Sequence, residues 1–102
     1  MRTTEFVQAV ISDARIRRMF NRSELAADIL RVLKTGNYYI SEIARLCGSD
    51  PANIMMRIRG NGVRYRESMI ELGLVFEYED KHRSKYYGIT AFGLEWYEKV
   101  KP

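Results

Sequence analysis

The sequence predicts a single, mainly helical α+β domain over residues 1–102, with a β-hairpin near its C-terminal end and an additional helix at each end. Apolar residues recur at spacings of three and four through most of the N-terminal part, as they do in amphipathic helices. Two β-prone runs, Leu74–Tyr78 and Tyr86–Ile89, flank the polar stretch EDKHRSK, as expected for the strands and tip of a hairpin. The length of 102 residues is enough for one modest core.

Two helices are predicted at the N-terminal end. The first covers residues 1–20, where apolar side chains recur on one face. Ser23 is a suitable N-cap for the second, SELAADILRVLK, and Gly36 lies just beyond its end, where glycine commonly stops a helix. The β-prone Tyr38–Tyr39 follows, and we expect it to pack against the hairpin as a minor strand.

A helix, a turn and a second helix are predicted over residues 41–59. Ser41 can cap the first of the two, SEIARLC. Its Ile43 and Leu46 are expected to face inward. Gly48 follows and should end this helix.

The second helix of this pair has Asp50 as its cap and Pro51 at its first position, which suits proline. The GNG sequence at residues 60–62 interrupts it, because each glycine costs about 1 kcal/mol in a helix interior. The segment from Arg64 to Leu72 again has a helical spacing. The helix can therefore end at Arg59 or continue past the second glycine.

The hairpin forms a wing over residues 74–89, and Thr90 can cap a last helix over residues 90–101. A helix-turn-helix followed directly by a hairpin is the arrangement of a winged helix-turn-helix. In this arrangement the second helix, at about residues 50–59, enters the major groove of DNA, and the wing contacts the backbone or the minor groove.

The positive charge of the chain is concentrated on the same two elements. The net charge is +4, and basic residues cluster in two windows that contain no acidic residue, 57–66 and 81–87. The first window lies at the end of the second helix, and the second window lies on the hairpin. This coincidence favours an interface for a polyanion.

Four motifs resemble, in their order and spacing, the winged helix-turn-helix transcription regulators that are common in archaea and their viruses and are also found in bacteria. They are ISEIARLCG (residues 40–48), DPANIMMRI (50–58), ELGLV (71–75) and YGITAFG (87–93). The resemblance covers roughly residues 24–97 and implies double-stranded DNA as the partner. The stretch GNGVRYRESM is additional to the family pattern.

The candidate DNA-binding residues come from the second helix, the segment after it and the wing. Arginine can bind guanine or phosphate through two parallel hydrogen bonds, and asparagine can bind adenine in the same manner. The alternative for each residue is an ordinary solvated surface. The candidates are Asn53, Met56, Arg57 and Arg59, then Arg64 and Arg66, then Lys81, Arg83 and Lys85.

The sequence predicts no enzyme, no metal site and no cofactor. His82 is the only histidine and Cys47 the only cysteine, so neither a His/Cys metal site nor a Cys–His nucleophile pair is expected. The glycines at 60 and 62 follow a helix and lack the lysine of a phosphate-binding loop. No apolar run is long enough to span a membrane and no signal peptide is recognised, so a cytoplasmic protein is expected.

A homodimer is expected from two features. The helix from Thr3 to Met19 lies outside the minimal winged fold, and an apolar stripe without a core to cover usually finds a partner subunit. The aromatic residues of the last helix, Phe92, Trp96 and Tyr97, are the other candidate surface.

Two alternatives to a transcription regulator stay open. One is a winged-helix module that binds an acidic protein partner instead of DNA. The other is a nucleoid or replication protein of the same fold that binds DNA without strict sequence choice.

Overall fold

A computed structural model describes the backbone of residues 3–60 and 68–101, and the side chains of residues 13–60 and 68–101. Within these ranges there are five helices, α1 (Thr3–Arg22), α2 (Glu24–Leu33), α3 (Ile40–Cys47), α4 (Pro51–Ile58) and α5 (Ala91–Val100). Three strands, β1 (Tyr38–Tyr39), β2 (Val75–Glu79) and β3 (Lys85–Ile89), form an antiparallel sheet in the order β1-β3-β2. The predicted mainly helical α+β class is confirmed. No helix in the described part of the chain combines the length and apolarity needed to cross a membrane.

Helices α3 and α4 form a helix-turn-helix, and local sequence signals position both. Gly48 ends α3 in the left-handed conformation, with a φ of 66°, which glycine adopts without steric cost. The Asp50 carboxylate then accepts a hydrogen bond from the Asn53 N–H at 2.9 Å, and Pro51 occupies the first turn of α4. The prediction that Ser41 caps α3 is wrong by two residues, because the N-cap is Tyr39.

The core of the molecule lies between the helices and the inner face of the sheet. Ile54 and Ile58 of α4 are completely buried in it, together with Ile43 of α3. Leu46 does not join them, contrary to its predicted inward position, and is 42% exposed. The inward side of α3 is defined by Ile43, Ala44 and the half-buried Cys47, and the helical spacing directs Leu46 away from that side.

The prediction of a helix from Arg64 to Leu72 is wrong where the structure describes the segment, because Ser68 is not helical and residues 69–73 form turns. The N–H groups of Met69 and Ile70 donate to the carbonyl groups of Arg57 and Ile58 at 3.0 and 3.1 Å. These carbonyls belong to the last turn of α4, which has no partner for them within the helix. The segment therefore packs back along the end of α4 instead of continuing as a helix.

Strand β3 lies in the middle of the sheet and pairs with both other strands. Tyr86 of β3 is opposite Tyr39 of β1 and opposite Tyr78 of β2. The three rings stack on the outer face, with centroids 4.1 Å apart for Tyr39 and Tyr86 and 5.1 Å apart for Tyr78 and Tyr86. The minor strand predicted at Tyr38–Tyr39 is thus confirmed, and its second tyrosine packs against the wing.

The wing leads into α5 through a junction built around Thr90. The Thr90 hydroxyl accepts a hydrogen bond from the Gly93 N–H at 2.9 Å and lies 2.6 Å from the Gly73 carbonyl, to which it donates. A methyl group on Gly93 would overlap the Leu74 carbonyl oxygen, so the close approach of α5 to the start of the wing requires glycine at this position.

Helices α1 and α5 both contribute side chains to the core, so fewer of their apolar residues are exposed for a dimer than the sequence predicts. Ile16 and Met19 of α1 are buried, and Trp96 and Tyr97 of α5 are buried with them. The ring of Phe20 stacks on Trp96, with centroids 6.3 Å apart. The prediction that the stripe of α1 has no core to cover is therefore wrong for its C-terminal half. Of the three aromatic residues predicted as a dimer surface on α5, only Phe92 is exposed.

Candidate nucleic-acid interface

Helix α4 and its C-cap carry four of the residues predicted to bind DNA. Asn53 and Arg59 are exposed, and Met56 and Arg57 are half-buried. The Asn53 side chain also donates to the Asp50 carboxylate at 3.1 Å, which holds its amide at the first turn of the helix. The structure therefore places these four residues on one element, around the buried Ile54 and Ile58.

Helix α4 ends at Ile58, with Arg59 as its C-cap. Gly60 has a φ of 71°, in the left-handed region that terminates helices. Of the two possible ends predicted for this helix, the structure thus has the earlier one. Arg64 and Arg66 lie outside the described residues.

The wing is joined to the end of α4 by the carboxylate of Glu77, on β2. One Glu77 oxygen lies 3.2 Å from Nε of Arg59 and accepts a hydrogen bond from the Tyr87 hydroxyl at 2.8 Å. The other oxygen lies 3.6 Å from Nζ of Lys85. Two of the predicted DNA-binding cations, one from the helix and one from the wing, therefore meet at a single acid.

Sequence reasoning missed Glu77, although its position carries a signal. Val75 and Tyr87 are buried on the inner face of the sheet, and the alternation of side chains along a strand places Glu77 on the same face as Val75. An acid on that face needs a polar partner. Burial and the hydrogen bond to Glu77 together raise the pKa of Tyr87 to about 12, so the phenol stays protonated and donates to the carboxylate at neutral pH.

The tip of the wing is organised by Asp80. One oxygen of its carboxylate accepts hydrogen bonds from the N–H groups of His82 and Ser84 at 2.8 and 2.9 Å. The other accepts a hydrogen bond from the Tyr39 hydroxyl at 3.0 Å. Arg83 has a φ of 64°, a conformation that non-glycine residues seldom adopt. The loop is thus a tight turn held from within by one acid.

The Asp80 turn presents two cations to solvent. Lys81 and Arg83 are exposed, and neither forms an ion pair with another described residue. Lys85 is also exposed but shares Glu77 with Arg59. The three wing cations predicted from the sequence therefore differ: among the described residues, two at the tip have no acidic partner, and one at the base is paired.

We expect the wing tip to loosen in acid. Burial raises the pKa of the Asp80 carboxyl, but hydrogen bonds from the Ser84 and His82 N–H groups and the Tyr39 hydroxyl outweigh it, and the net pKa is lowered. Because the pKa of Asp80 is lower in the folded than in the unfolded protein, its ionised carboxylate stabilises the fold. This stabilisation is complete above the pKa of an unfolded aspartate, about 3.9, and is lost as the pH falls through the pKa of Asp80 in the folded protein. In an NMR titration, the amide resonances of His82 and Ser84 should shift with a midpoint below that of a free aspartate. A midpoint at or above the free value would contradict the assigned hydrogen bonds.

The described residues bring no three histidine, cysteine, aspartate or glutamate side chains together as a metal site. Cys47, the only cysteine, is half-buried, and burial raises the pKa of its thiol. A raised pKa leaves less thiolate at neutral pH, and the thiolate is the reactive form.

Comparison with known proteins assigns the chain to a family. The family described as EarA-like matches residues 16–100. An uncharacterized protein of Methanocaldococcus jannaschii is 37% identical over 94 residues, which cover 87% of this chain and 84% of that protein.

Solved structures share the fold at low sequence identity. A MarR-family transcriptional regulator from Silicibacter pomeroyi is similar with a TM-score of 0.64 and 17% identity, over 90% of this chain and 60% of that one. The adhesin competence repressor of Streptococcus pyogenes is similar with a TM-score of 0.61 and 13% identity, over 97% of this chain and 71% of that one. The chain thus spans about 60% of the length of the Silicibacter regulator. These similarities confirm the winged-helix fold of transcription regulators.

Proposed function

Because the chain belongs to the EarA-like family and has the winged-helix fold, we propose that it binds double-stranded DNA and regulates transcription. Helix α4 reads the major groove, and the wing contacts the backbone. The observation that carries this proposal is the contact of Arg59 and Lys85 with the same acid, Glu77. That contact puts the end of α4 beside the wing, so that cations of both elements can reach one duplex.

Each candidate residue has a distinct role in this proposal. Arg57 and Arg59, at the end of α4, contact guanine or phosphate through their planar guanidinium groups. Asn53, at the first turn, is positioned to reach an adenine edge, and Met56 supplies an apolar contact in the groove. Phosphate contacts from the wing position the protein without reading sequence. Those contacts come from Lys81 and Arg83, with Lys85 at the base.

A salt titration on two duplexes tests the proposed function. One duplex is enriched by the protein from a randomised library, and the other has a random sequence. A sequence-specific regulator should bind both with a steep dependence on salt, because each neutralised phosphate releases counterions. It should also bind the enriched duplex more tightly at every salt concentration.

The same titration separates the alternative functions. A nucleoid or replication protein would show the steep salt dependence without a preference between the two duplexes. A winged helix that binds only an acidic protein would bind neither duplex. Either result would overturn the proposal of a sequence-specific regulator.

We predict that the two arginine pairs that flank the GNG sequence act differently. Arg57→Ala or Arg59→Ala should cost about 1–3 kcal/mol on the enriched duplex and relax sequence choice at one position, as expected for a lost base contact. The double variant Arg64→Ala with Arg66→Ala should weaken both duplexes alike and lower the salt slope by about one unit per phosphate contact.

The ratio of affinities for the enriched and random duplexes is the deciding measurement. It should fall for the first pair and stay nearly unchanged for the second. If the second pair carries the discrimination, the segment after α4 reads the groove instead. If neither pair affects binding while thermal unfolding is unchanged, this basic window does not contact DNA.

We also predict that the protein forms a homodimer in solution, since two-fold dimers dominate homo-oligomers. Among the described side chains of α5, Phe92 and Leu94 are exposed at 41% and 39% and supply an apolar surface. Light scattering at micromolar concentration should give twice the mass of the 12.0 kDa chain. A dimer should prefer half-sites about one helical turn apart, and a monomer at high concentration would contradict the prediction.

A further inference from the structure

A partly buried acid, Glu77, lies between a cation from the end of α4 and a cation from the wing, the two elements proposed to bind DNA. The carboxylate of Glu77 contacts Arg59, Lys85 and Tyr87, and its side chain remains 24% exposed. Phosphates repel a carboxylate at this position, so the acid lowers the general attraction between the surface and DNA. A neutral acceptor would be enough to satisfy the hydroxyl of the buried Tyr87, so the hydrogen bond alone does not explain why this residue carries a charge.

We propose that Glu77 is a positioning residue that sets the selectivity of DNA binding, an inference that rests on the proposed function. Glu77 holds Arg59 and Lys85 in ion pairs. A phosphate that binds either cation must therefore compete with the Glu77 carboxylate. Random DNA offers only phosphates at these points. Glu77 therefore weakens binding to random DNA more than binding to the preferred site.

The geometry of the contact between Arg59 and Glu77 explains why Glu77 lowers the affinity for the preferred DNA site less than the affinity for random DNA. Glu77 approaches Arg59 at Nε, which is the inner nitrogen of the guanidinium group. The two terminal nitrogens are at the far end of the group and can form paired hydrogen bonds with a guanine edge. A guanine in the correct place can thus bind Arg59 while the ion pair persists. The acid then fixes the orientation of the arginine that reads the base.

Glu77→Gln tests this role with little change of shape. The glutamine oxygen can still accept the hydrogen bond from the Tyr87 hydroxyl, while the negative charge is removed. Glu79→Gln is the matched control. Glu79 is two residues further along the same strand and exposed. It lies opposite Lys85 in the sheet, but within the described part of the chain its carboxylate forms no ion pair with Lys85 or Arg59, so this variant removes an acid from the same strand without breaking either ion pair of Glu77.

The titration on enriched and random duplexes is repeated for both variants. Glu77→Gln should bind the random duplex up to about tenfold more tightly near 0.1 M salt, with a salt slope steeper by about one unit, the effect of one more net phosphate contact. Its affinity for the enriched duplex should rise less or fall, so the ratio of the two affinities drops several-fold. Glu79→Gln should move both affinities by the same small factor.

The outcomes distinguish this inference from the proposed function. If the wild-type chain binds neither duplex, the proposed function is wrong and the role of Glu77 is wrong with it. If the wild-type chain discriminates but Glu77→Gln keeps the wild-type ratio and slope, only the role of Glu77 is overturned. Equal changes in Glu77→Gln and Glu79→Gln would also overturn it, since net charge alone would explain them. Thermal unfolding of each variant shows that the comparison is made between folded proteins.

Discussion

Replacing Lys81, Arg83 and Lys85 together by alanine is expected to lower the affinity for every duplex by about two orders of magnitude near 0.1 M salt. Each lost phosphate contact flattens the salt slope by about 0.9 units. Lys81 and Arg83 are exposed on the Asp80 turn and should contribute fully, whereas Lys85 is shared with Glu77. The total flattening should therefore lie between about two and three units.

The ratio of affinities for the enriched and random duplexes should not change in this wing variant, because phosphate contacts carry no sequence information directly. Its thermal unfolding should also stay close to wild type, since exposed charges contribute little to stability. A triple alanine variant of Lys34, Lys99 and Lys101 is the control. These lysines lie around α5, where two of them pair with Glu98. An equal loss of affinity in the control would show that net charge, and not the wing, is responsible.

Trp96→Ala is expected to lower the free energy of unfolding by about 3–5 kcal/mol. The Trp96 side chain is 1% exposed and is one of the largest in the core. Its ring stacks on Phe20, and the charged groups of Arg17 and Lys99 lie 5.1 and 4.5 Å from its centre. The substitution removes the apolar contacts between α1 and α5 and leaves a cavity that the surrounding helices fill only in part.

Chemical denaturation followed by circular dichroism measures this loss. Trp96→Phe is the matched control, because it keeps an aromatic ring against Phe20 and should cost less than the alanine variant. Phe92→Ala provides a second control on the same helix, since Phe92 is 41% exposed. A loss below about 1 kcal/mol for Trp96→Ala, within the range of an ordinary point substitution, would contradict the packing of α1 against α5.

Local signals in the sequence predicted the elements that form the site. Asp50 and Pro51 mark the start of α4 because a cap and a fixed φ act on neighbouring residues only. The wing follows from its two β-prone runs and the polar tip between them, and Thr90 marks the start of α5 in the same local manner. These features depend on a few adjacent residues, so reading the sequence in order is enough to find them.

Contacts between distant parts of the chain could not be predicted in this way. The ion pair of Arg59 with Glu77 joins a helix end to a strand. The alternation of side chains along β2 indicates that Glu77 needs a polar partner, but it does not indicate that Arg59 is that partner. The spacing around Met69 predicts a helix, but the segment forms a turn because the N–H groups of Met69 and Ile70 bond to carbonyl groups at the end of α4. Leu46 shows the same limit, since a short helix has too few apolar positions to fix which side is buried.

Strand β1 can join the sheet only after most of the chain has been synthesised. Tyr39 and Tyr86, which face each other in the sheet, are 47 residues apart in sequence. Closing so long a loop costs chain entropy before the contact is made, whereas the helices depend on near neighbours and form quickly. On the ribosome, the residues of α4 therefore emerge before those of β2 and β3, so the strand that carries Glu77 is made later than Arg59, with which Glu77 forms an ion pair.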